Sequence, residues 1–178
     1  MESELVKITQ RPTAANVAKV LVSGCLNGPP IRYNQTNVPV VSAVWDRWET
    51  EGRLVPFCAE LAAGFSIPRP PAEITTGDAT SVLCGVGTVA EDNGNDVTEL
   101  FTKGAELAVA HALEHRCVAA VLTDGSPSCG STYQYDGSFT GGTRQGVGVV
   151  AQLLADSGIR VFPETQLEQA DRFLRNGS

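Results

Sequence analysis

The chain has 178 residues, of which 42% are hydrophobic, so it is long enough to enclose one sizeable core, and this length favours a single domain. Its formal net charge of −7 argues against a nucleic-acid partner, because a non-specific hold on phosphates needs a surplus of Lys and Arg. No stretch approaches the roughly twenty consecutive apolar residues of a membrane span, so we expect no membrane partner.

The N-terminal segment is the basis for our predictions of cellular location and domain organisation. Residues 1–15 are polar, contain Pro12 and show no periodicity, so we interpret them as a flexible extension before a single catalytic domain over residues 16–178. Glu2 and Glu4 interrupt any apolar run there, hence we expect no secretory signal and a cytoplasmic location. Five cysteines in such a chain are expected to be reduced, metal-bound or buried rather than paired in disulfides.

The first half of the chain predicts strands around one helix. Residues 18–24, "AKVLVSG", form a β-branched apolar run that is typical of a strand buried in a parallel sheet. A helix is predicted from Asn37 to Gly52, with Pro39 in its first turn and an apolar face made of Val41, Val44, Trp45 and Trp48. "RLVPF" predicts a short strand, and "SVLCGVGTVA" predicts a strand or hairpin after the rigid loop "IPRPPAE".

The second half continues the alternation of helices and strands. Asp96 and Glu99 stand at capping-box spacing and predict a helix that runs to about His115. "CVAAVL" then predicts a strand, "YDGSFTGGTRQG" a glycine-rich loop, and "VGVVAQLLADSG" a helix that ends at Gly158. Two further predicted elements are the strand "IRVF" and a C-terminal helix capped by Thr165 and Glu168.

Strands that alternate with helices predict a three-layer α/β sandwich with a mostly parallel, Rossmann-like sheet. The carboxyl ends of parallel strands meet at one edge of such a sheet, and ligands bind along that edge. Cys25, Cys58 and Cys129 each follow the carboxyl end of a predicted strand. We therefore expect their thiols to meet in space although they are far apart in sequence.

Three converging thiolates without a fourth fit either a catalytic zinc site or an iron–sulfur cluster with one open iron. The C-x-x-C pairs of structural zinc sites are absent. The alternative without a metal is that these cysteines are inert core residues, because cysteine is among the most frequently buried residue types. The residues alone leave these alternatives open.

Several motifs resemble, in order and spacing, those of the thiouracil desulfidase family. They are "VSGCLNGPPIRY", "VPFCAELAAGF", "PRPPAEI", "DVTELFTKGAE", "SPSCGSTYQYDGSFTGGTRQGVGVVAQLL" and "GIRVF", which span about Lys19 to Phe162. The resemblance implies a cytoplasmic enzyme with a [4Fe–4S] cluster on Cys25, Cys58 and Cys129. Such an enzyme acts on a small thiolated base or nucleoside, above all thiouracil or a related pyrimidine, converts C=S to C=O and releases sulfide through the open iron.

The resemblance also implies two catalytic residues. Glu60 matches the acid–base carboxylate of the family, and Ser126 matches the serine that assists it. The chemistry agrees, because an open iron is a soft Lewis acid for a thiocarbonyl sulfur and Glu60 is placed to direct water at the polarised carbon. From the residues themselves we expect Ser128, Arg32 and Arg69 to contact substrate.

Two other functions remain open on the sequence. One is a zinc or cysteine-nucleophile hydrolase that uses Cys58 or Cys129 with Glu60. The other is a non-catalytic carrier of sulfide or of an iron–sulfur cluster. Anaerobic iron analysis separates the cluster from zinc, and formation of free uracil separates the enzyme from the carrier.

The remaining candidate residues are assigned structural roles. Cys84 and Cys117 are interpreted as packing residues. His111 and His115, in "HALEH", are interpreted as packed, hydrogen-bonded histidines, because the Glu does not match the H-E-x-x-H zinc helix. The segment "GGTRQGVG" precedes a helix, whose first backbone N–H groups are expected to hold an anion.

Overall fold

The computed structural model describes residues 17–176, so the predicted extension over residues 1–15 lies outside the described residues. The strands of the described part are β1 (Lys19–Ser23), β2 (Leu54–Phe57), β3 (Ala72–Thr76), β4 (Thr88–Glu91), β5 (Cys117–Leu122), β6 (Tyr133–Tyr135), β7 (Thr143–Gln145) and β8 (Arg160–Pro163). Strands β2, β1, β5 and β8 pair in that order as one parallel sheet. The predicted parallel sheet and its four strands are confirmed.

Helices cover both faces of this sheet. They are α1 (Ala43–Thr50), α2 (Ala59–Ala63), α3 (Ala79–Leu83), α4 (Thr98–Glu114), α5 (Val149–Asp156) and α6 (Leu167–Arg175). Helices α1 and α6 pack against Val20 and Val22 of β1, whereas α3, α4 and α5 pack against Leu21 on the opposite face. Because side chains alternate along a strand, β1 is buried on both sides, and the three-layer α/β sandwich is confirmed.

The first predicted helix begins later than the sequence pattern indicated. Helix α1 starts at Ala43, where the Ser42 hydroxyl accepts a hydrogen bond from the N–H of Val44. The preceding segment is held extended, because the N–H of Val38 bonds to Cys25 O and that of Val40 to Leu26 O. Val41, predicted on the apolar face, is 94% exposed, so that assignment was wrong. The buried face consists of Trp45 and Trp48.

Residues 79–83 form a helix rather than the first half of the strand or hairpin that was predicted. Asp78 caps α3, because its carboxylate accepts hydrogen bonds from the N–H and hydroxyl of Ser81. Only the second half of "SVLCGVGTVA" is extended, as β4, and it pairs antiparallel with β3. Cys84 follows α3 and is exposed, so its prediction as a packing residue was also wrong.

The glycine-rich segment after Cys129 contains a short hairpin. Strands β6 and β7 pair antiparallel, with Gln134 opposite Arg144. The carboxylate of Glu73, on β3, accepts hydrogen bonds from the N–H groups of Gly137 and Phe139 and so ties the hairpin tip to the small sheet. The segment is therefore a hairpin with an irregular tip and not a continuous loop.

The two predicted capping boxes are not formed. Asp96 accepts a hydrogen bond from Thr98 N, but the cap position of α4 is Val97, which has no side-chain bond. The cap position of α6 is Gln166, after a short 3₁₀ turn that includes Thr165, and it has no side-chain bond either. The predicted end of α5 is confirmed, because the helix stops at Asp156. Gly158, two residues later, has a φ of 83°, in the left-handed region that glycine adopts readily.

Within residues 17–176, no helix combines the length and the hydropathy needed to cross a membrane.

Candidate active site

Three cysteines lie around one cavity of about 340 Å³. Cys25 follows β1 in a 3₁₀ turn, Cys58 occupies the cap position of α2 directly after β2, and Cys129 lies in the loop after β5. Strands β2, β1 and β5 are neighbours, so their carboxyl ends share one edge of the sheet. The fold therefore brings these three cysteines, which are far apart in sequence, to the wall of one cavity.

Close backbone packing fixes the loop that carries Cys129. A Cβ on Gly130 would lie 2.6 Å from Tyr133 O and 2.7 Å from Ser126 O, which leaves no room for a side chain. The first N–H groups of α5 are paired with this loop, since Val149 N donates to Pro127 O and Val150 N to Ser128 O, each at 2.9 Å. These groups are thus not free to hold an anion, contrary to the prediction for "GGTRQGVG".

Ser126 shapes the turn before Cys129. Its hydroxyl oxygen accepts hydrogen bonds from the N–H groups of Ser128 at 3.1 Å and Cys129 at 3.2 Å. Ser126 also lines the cavity. Ser128, expected to contact substrate, is 2% exposed and is absent from the cavity wall. Its position is a correction to that expectation, because it is enclosed between the loop and α5.

Glu60 and Arg69 form an ion pair in the cavity wall. Arg69 donates to Glu60 Oε2 from Nε at 2.7 Å and from Nη2 at 2.6 Å. Arg69 Nη1 also donates to Ser66 O at 3.1 Å, and the Arg69 side chain is only 6% exposed. The guanidinium that was expected to contact substrate is therefore engaged with the predicted acid–base carboxylate.

Helix α2 brings Glu60 beside the cysteines. Glu60 lies in the first turn of α2, two residues after Cys58. Helix α2 packs closely on α4 at Gly104, where a Cβ would lie 2.8 Å from Ala59 O. This contact keeps the short helix, and with it Glu60, against a long and well-packed element.

Arg32 lines the same cavity from the loop after β1. Among residues 17–176 its side chain forms no ion pair. An arginine at a cavity wall without a carboxylate partner keeps its donors available to a ligand. The position of Arg32 is consistent with the expected contact to substrate.

Burial raises the pKa of all three cavity thiols. The effect on the pKa of Cys25 is opposed by a hydrogen bond between its Sγ and the Thr123 hydroxyl at 3.2 Å. Burial likewise raises the pKa of Cys129 against a hydrogen bond from the Ser23 hydroxyl, and it raises the pKa of Cys58. Thiolates form here only when a cationic group compensates for the lost solvation, so metal binding would release protons.

Ser23 and Thr123 are site residues that the sequence reasoning missed. Ser23 is the last residue of β1 and Thr123 directly follows β5, and both are buried and line the cavity. The Ser23 hydroxyl also accepts a hydrogen bond from Thr123 N at 3.1 Å, which links the two strand ends. The available signal was a hydroxyl residue at the carboxyl end of each buried apolar run.

Three comparisons with known proteins agree with this geometry. A family model described as 2-thiouracil desulfurase matches residues 20–166. The chain belongs to the 2-thiouracil desulfurase family. A solved structure, the [4Fe-4S]-dependent thiouracil desulfidase TudS, superposes with a TM-score of 0.81 at 40% identity over 89% of this chain and 98% of that one. YbbK of Bacillus subtilis (strain 168), an uncharacterized protein, is 42% identical over 83% of this chain and 97% of its own. The resemblance read from the motifs is confirmed.

The donor set of this family member fits an iron–sulfur cluster. It offers three soft thiol ligands in one cavity, and the Thr123 hydroxyl is hydrogen-bonded to the sulfur of Cys25. No fourth cysteine is among the described residues that line this cavity, so a cluster held by Cys25, Cys58 and Cys129 would keep one iron open.

The remaining cysteine and the histidines take other positions in this fold. Cys117 is buried in β5, where burial raises its pKa to about 11. His111 is half-buried and stacks on Phe57, as predicted, whereas His115 is exposed, so the predicted packing was wrong for His115 although its predicted hydrogen bond is present, from Nδ1 to His111 O. The carboxylate of Glu114 lies within 4.8 Å of both histidine rings.

Proposed function

We propose that this chain is a [4Fe–4S]-dependent desulfidase that converts the C=S group of thiouracil, or of a related thiolated pyrimidine, to C=O with release of sulfide. The observation that carries the proposal is the meeting of three cysteine thiols and the Glu60 carboxylate in one cavity. Membership of the 2-thiouracil desulfurase family and the 40% identity to TudS support it.

Cys25, Cys58 and Cys129 would hold the cluster, and the protein would place no fourth ligand on it. When bound, the cluster supplies an open iron, a soft Lewis acid that binds a thiocarbonyl sulfur in preference to a carbonyl oxygen and polarises the C=S bond. The Thr123 hydroxyl is hydrogen-bonded to the Cys25 sulfur and would orient it toward the cluster.

Glu60 acts as the general base that directs water at the ring carbon. The Arg69 guanidinium occupies Oε2 of this carboxylate. The oxygen Oε1 accepts no hydrogen bond from the described residues and is available to a water molecule. In this proposal Arg69 positions the base, and it does not grip the substrate as the sequence suggested.

Ser126 and Arg32 complete the polar part of the site. The Ser126 oxygen already accepts two backbone hydrogen bonds, so its O–H is the group available to a substrate or sulfur atom. Arg32 presents the guanidinium without a carboxylate partner and would bind a substrate carbonyl or thiocarbonyl group.

The apolar part of the cavity suits a flat heterocycle. Its wall includes the aromatic rings of Tyr33, Phe57, Phe65, Phe101, Tyr135 and Phe139. Aromatic side chains bind planar bases through their faces, and the cavity volume of about 340 Å³ lies in the range of small-molecule sites. A small thiolated base or nucleoside is therefore the partner that we propose.

The chain would function as one catalytic domain in a reducing compartment such as the cytoplasm. The two hydrophobic clusters lie on opposite faces of a single sheet, which supports one domain over residues 16–178. All five cysteines are free thiols, the state that the cytoplasm maintains.

The test is anaerobic reconstitution, followed by iron and acid-labile sulfide analysis and turnover of 2-thiouracil and 4-thiouracil. We expect a brown protein that forms uracil and sulfide, and a Glu60→Gln variant that keeps the cluster but is about 10²–10⁴-fold slower. A colourless zinc protein would support the hydrolase instead, and cluster binding without uracil would support the carrier. Full turnover by Glu60→Gln removes Glu60 from the mechanism.

A further inference from the structure

The last turn of α4 carries three metal-ligating side chains that the proposed function does not use. His111, Glu114 and His115 are spaced i, i+3 and i+4, so they lie on one face of the helix. One ligand atom from each residue lies within 4.8 Å of the other two. Glu114 and His115 are exposed, so an ion would reach them directly from solvent.

We infer that His111, Glu114 and His115 form a second metal site, for a divalent ion that prefers imidazole ligands, of which Zn²⁺ is the representative. Two histidines one helical turn apart on one face are a recurring zinc-binding arrangement, and H-x-x-E-H is the residue order here. Two imidazoles and one carboxylate would occupy three of the four coordination positions of Zn²⁺. The fourth position is open to water.

The hydrogen bond of His115 prepares its ring for metal binding. Its Nδ1 lies 2.9 Å from the backbone carbonyl of His111, which is only an acceptor, so Nδ1 carries the proton. Nε2 is therefore the nitrogen of this ring that would bind a metal ion. Metal-ligating histidines generally have such a bond from their other nitrogen, which fixes the tautomer and the ring orientation.

The His111 ring is held by stacking. It lies 4.6 Å from the ring of Phe57 at an interplanar angle of 26°, and 4.1 Å from the ring of His115. The carbonyl groups at the carboxyl end of α4 add a favourable field for positive charge.

The site does not involve the cysteine cavity. None of its three residues lines that cavity, and the inference stands whether or not the chain is a desulfidase. Phe57 connects the two regions, because it stacks on His111 and directly precedes Cys58.

The test is a titration of tag-free, cluster-loaded protein with ZnCl₂ under anaerobic conditions, followed by calorimetry and by ¹⁵N NMR of the imidazole nitrogens. The chain has only two histidines, so each imidazole signal can be assigned. We expect one bound ion per chain, with the metal-bound shift at Nε2 of His115. His111→Gln and His115→Gln should each weaken binding at least about 10-fold, and Glu114→Gln by a smaller factor.

Glu106→Gln, an exposed substitution on the same helix, is the matched control and should bind Zn²⁺ like the parent protein. Zn²⁺ also binds thiols, so the titration is repeated on a Cys25→Ser/Cys58→Ser/Cys129→Ser variant, which keeps the histidine signals as readout. Equal binding by the His111→Gln/His115→Gln variant, or imidazole shifts that do not move with Zn²⁺, would overturn the inference.

Discussion

Arg69 contacts a single carboxylate oxygen of Glu60, through both Nε and Nη2. The same guanidinium is anchored to Ser66 O, so the carboxylate is held by a side chain that is itself fixed. Two donors on one oxygen restrict the rotation of the Glu60 carboxylate and direct its other oxygen.

This ion pair predicts that Arg69→Lys loses turnover without losing the cluster. A lysine ammonium cannot reproduce two parallel donors from one planar group, so Glu60 would rotate. We expect kcat for 2-thiouracil to fall about 10–100-fold, with iron content and thermal midpoint unchanged. If KM rises and kcat is unchanged, Arg69 binds substrate instead, as its sequence context suggested.

Replacement of one cavity cysteine should abolish cluster retention. Cys129→Ser removes a soft ligand from a buried site, and the hydroxyl that replaces it is a poor ligand for iron. Iron and acid-labile sulfide per chain, measured after anaerobic reconstitution, should fall to a small fraction of the parent value. Cys84→Ser, at an exposed position outside the cavity, is the control and should retain the full iron content.

Ser126→Ala should affect both the cluster and the reaction. The substitution removes the acceptor for the N–H groups of Ser128 and Cys129, so the turn that presents Cys129 loosens. We expect faster loss of the iron–sulfur absorbance under a chelator and lower turnover. Ser126→Thr, which keeps the hydroxyl, should restore cluster retention, whereas Ser157→Ala, on the exposed end of α5, should change neither.

The buried carboxylate of Asp171 predicts an acid-dependent contribution to stability. Burial opposes its ionisation, but hydrogen bonds from Arg175, Trp48 and Arg47 outweigh that effect and lower its pKa. Stability from this group is therefore present above the ordinary Asp pKa and is lost as pH falls through the lowered value. Asp171→Asn should reduce the free energy of unfolding in urea at pH 7 by about 1–3 kcal/mol.

The control for Asp171→Asn is Glu49→Gln, an exposed substitution on α1. It should leave both the urea midpoint and its pH dependence unchanged. An Asp171→Asn protein with the parent's acid dependence would show that another carboxylate is responsible for it.

The sequence alone predicted the parallel sheet and the position of the three cysteines at one of its edges. The centre of β1 and the whole of β5 are apolar runs, which is typical of a parallel sheet covered on both faces. Parallel pairing then places the carboxyl ends of the strands at one edge. The pairing of Glu60 with Arg69 was not predictable. It depends on the course of the proline-rich loop between them and not on a regular helical or strand spacing.

The elements that were missed are those that depend on single side-chain contacts. Helix α3 is a single short turn, and its N-terminal cap, Asp78, favours the helix over the predicted strand. The tip of the β6–β7 hairpin is fixed by Glu73, which lies more than sixty residues earlier in the chain. The metal ligands on α4 were missed for another reason. Comparison with H-E-x-x-H alone left Glu114 without a role, whereas three-dimensional proximity includes it.

The first N–H groups of α5 donate hydrogen bonds to carbonyl groups of the loop that carries Cys129, so this loop is held in place by the helix. In the proposed function Cys129 would hold the cluster from a loop that is already hydrogen-bonded to α5, so we expect the cluster to be inserted without refolding of that loop. Amide hydrogen exchange at residues 148–150 should consequently be slow in apoprotein and holoprotein alike.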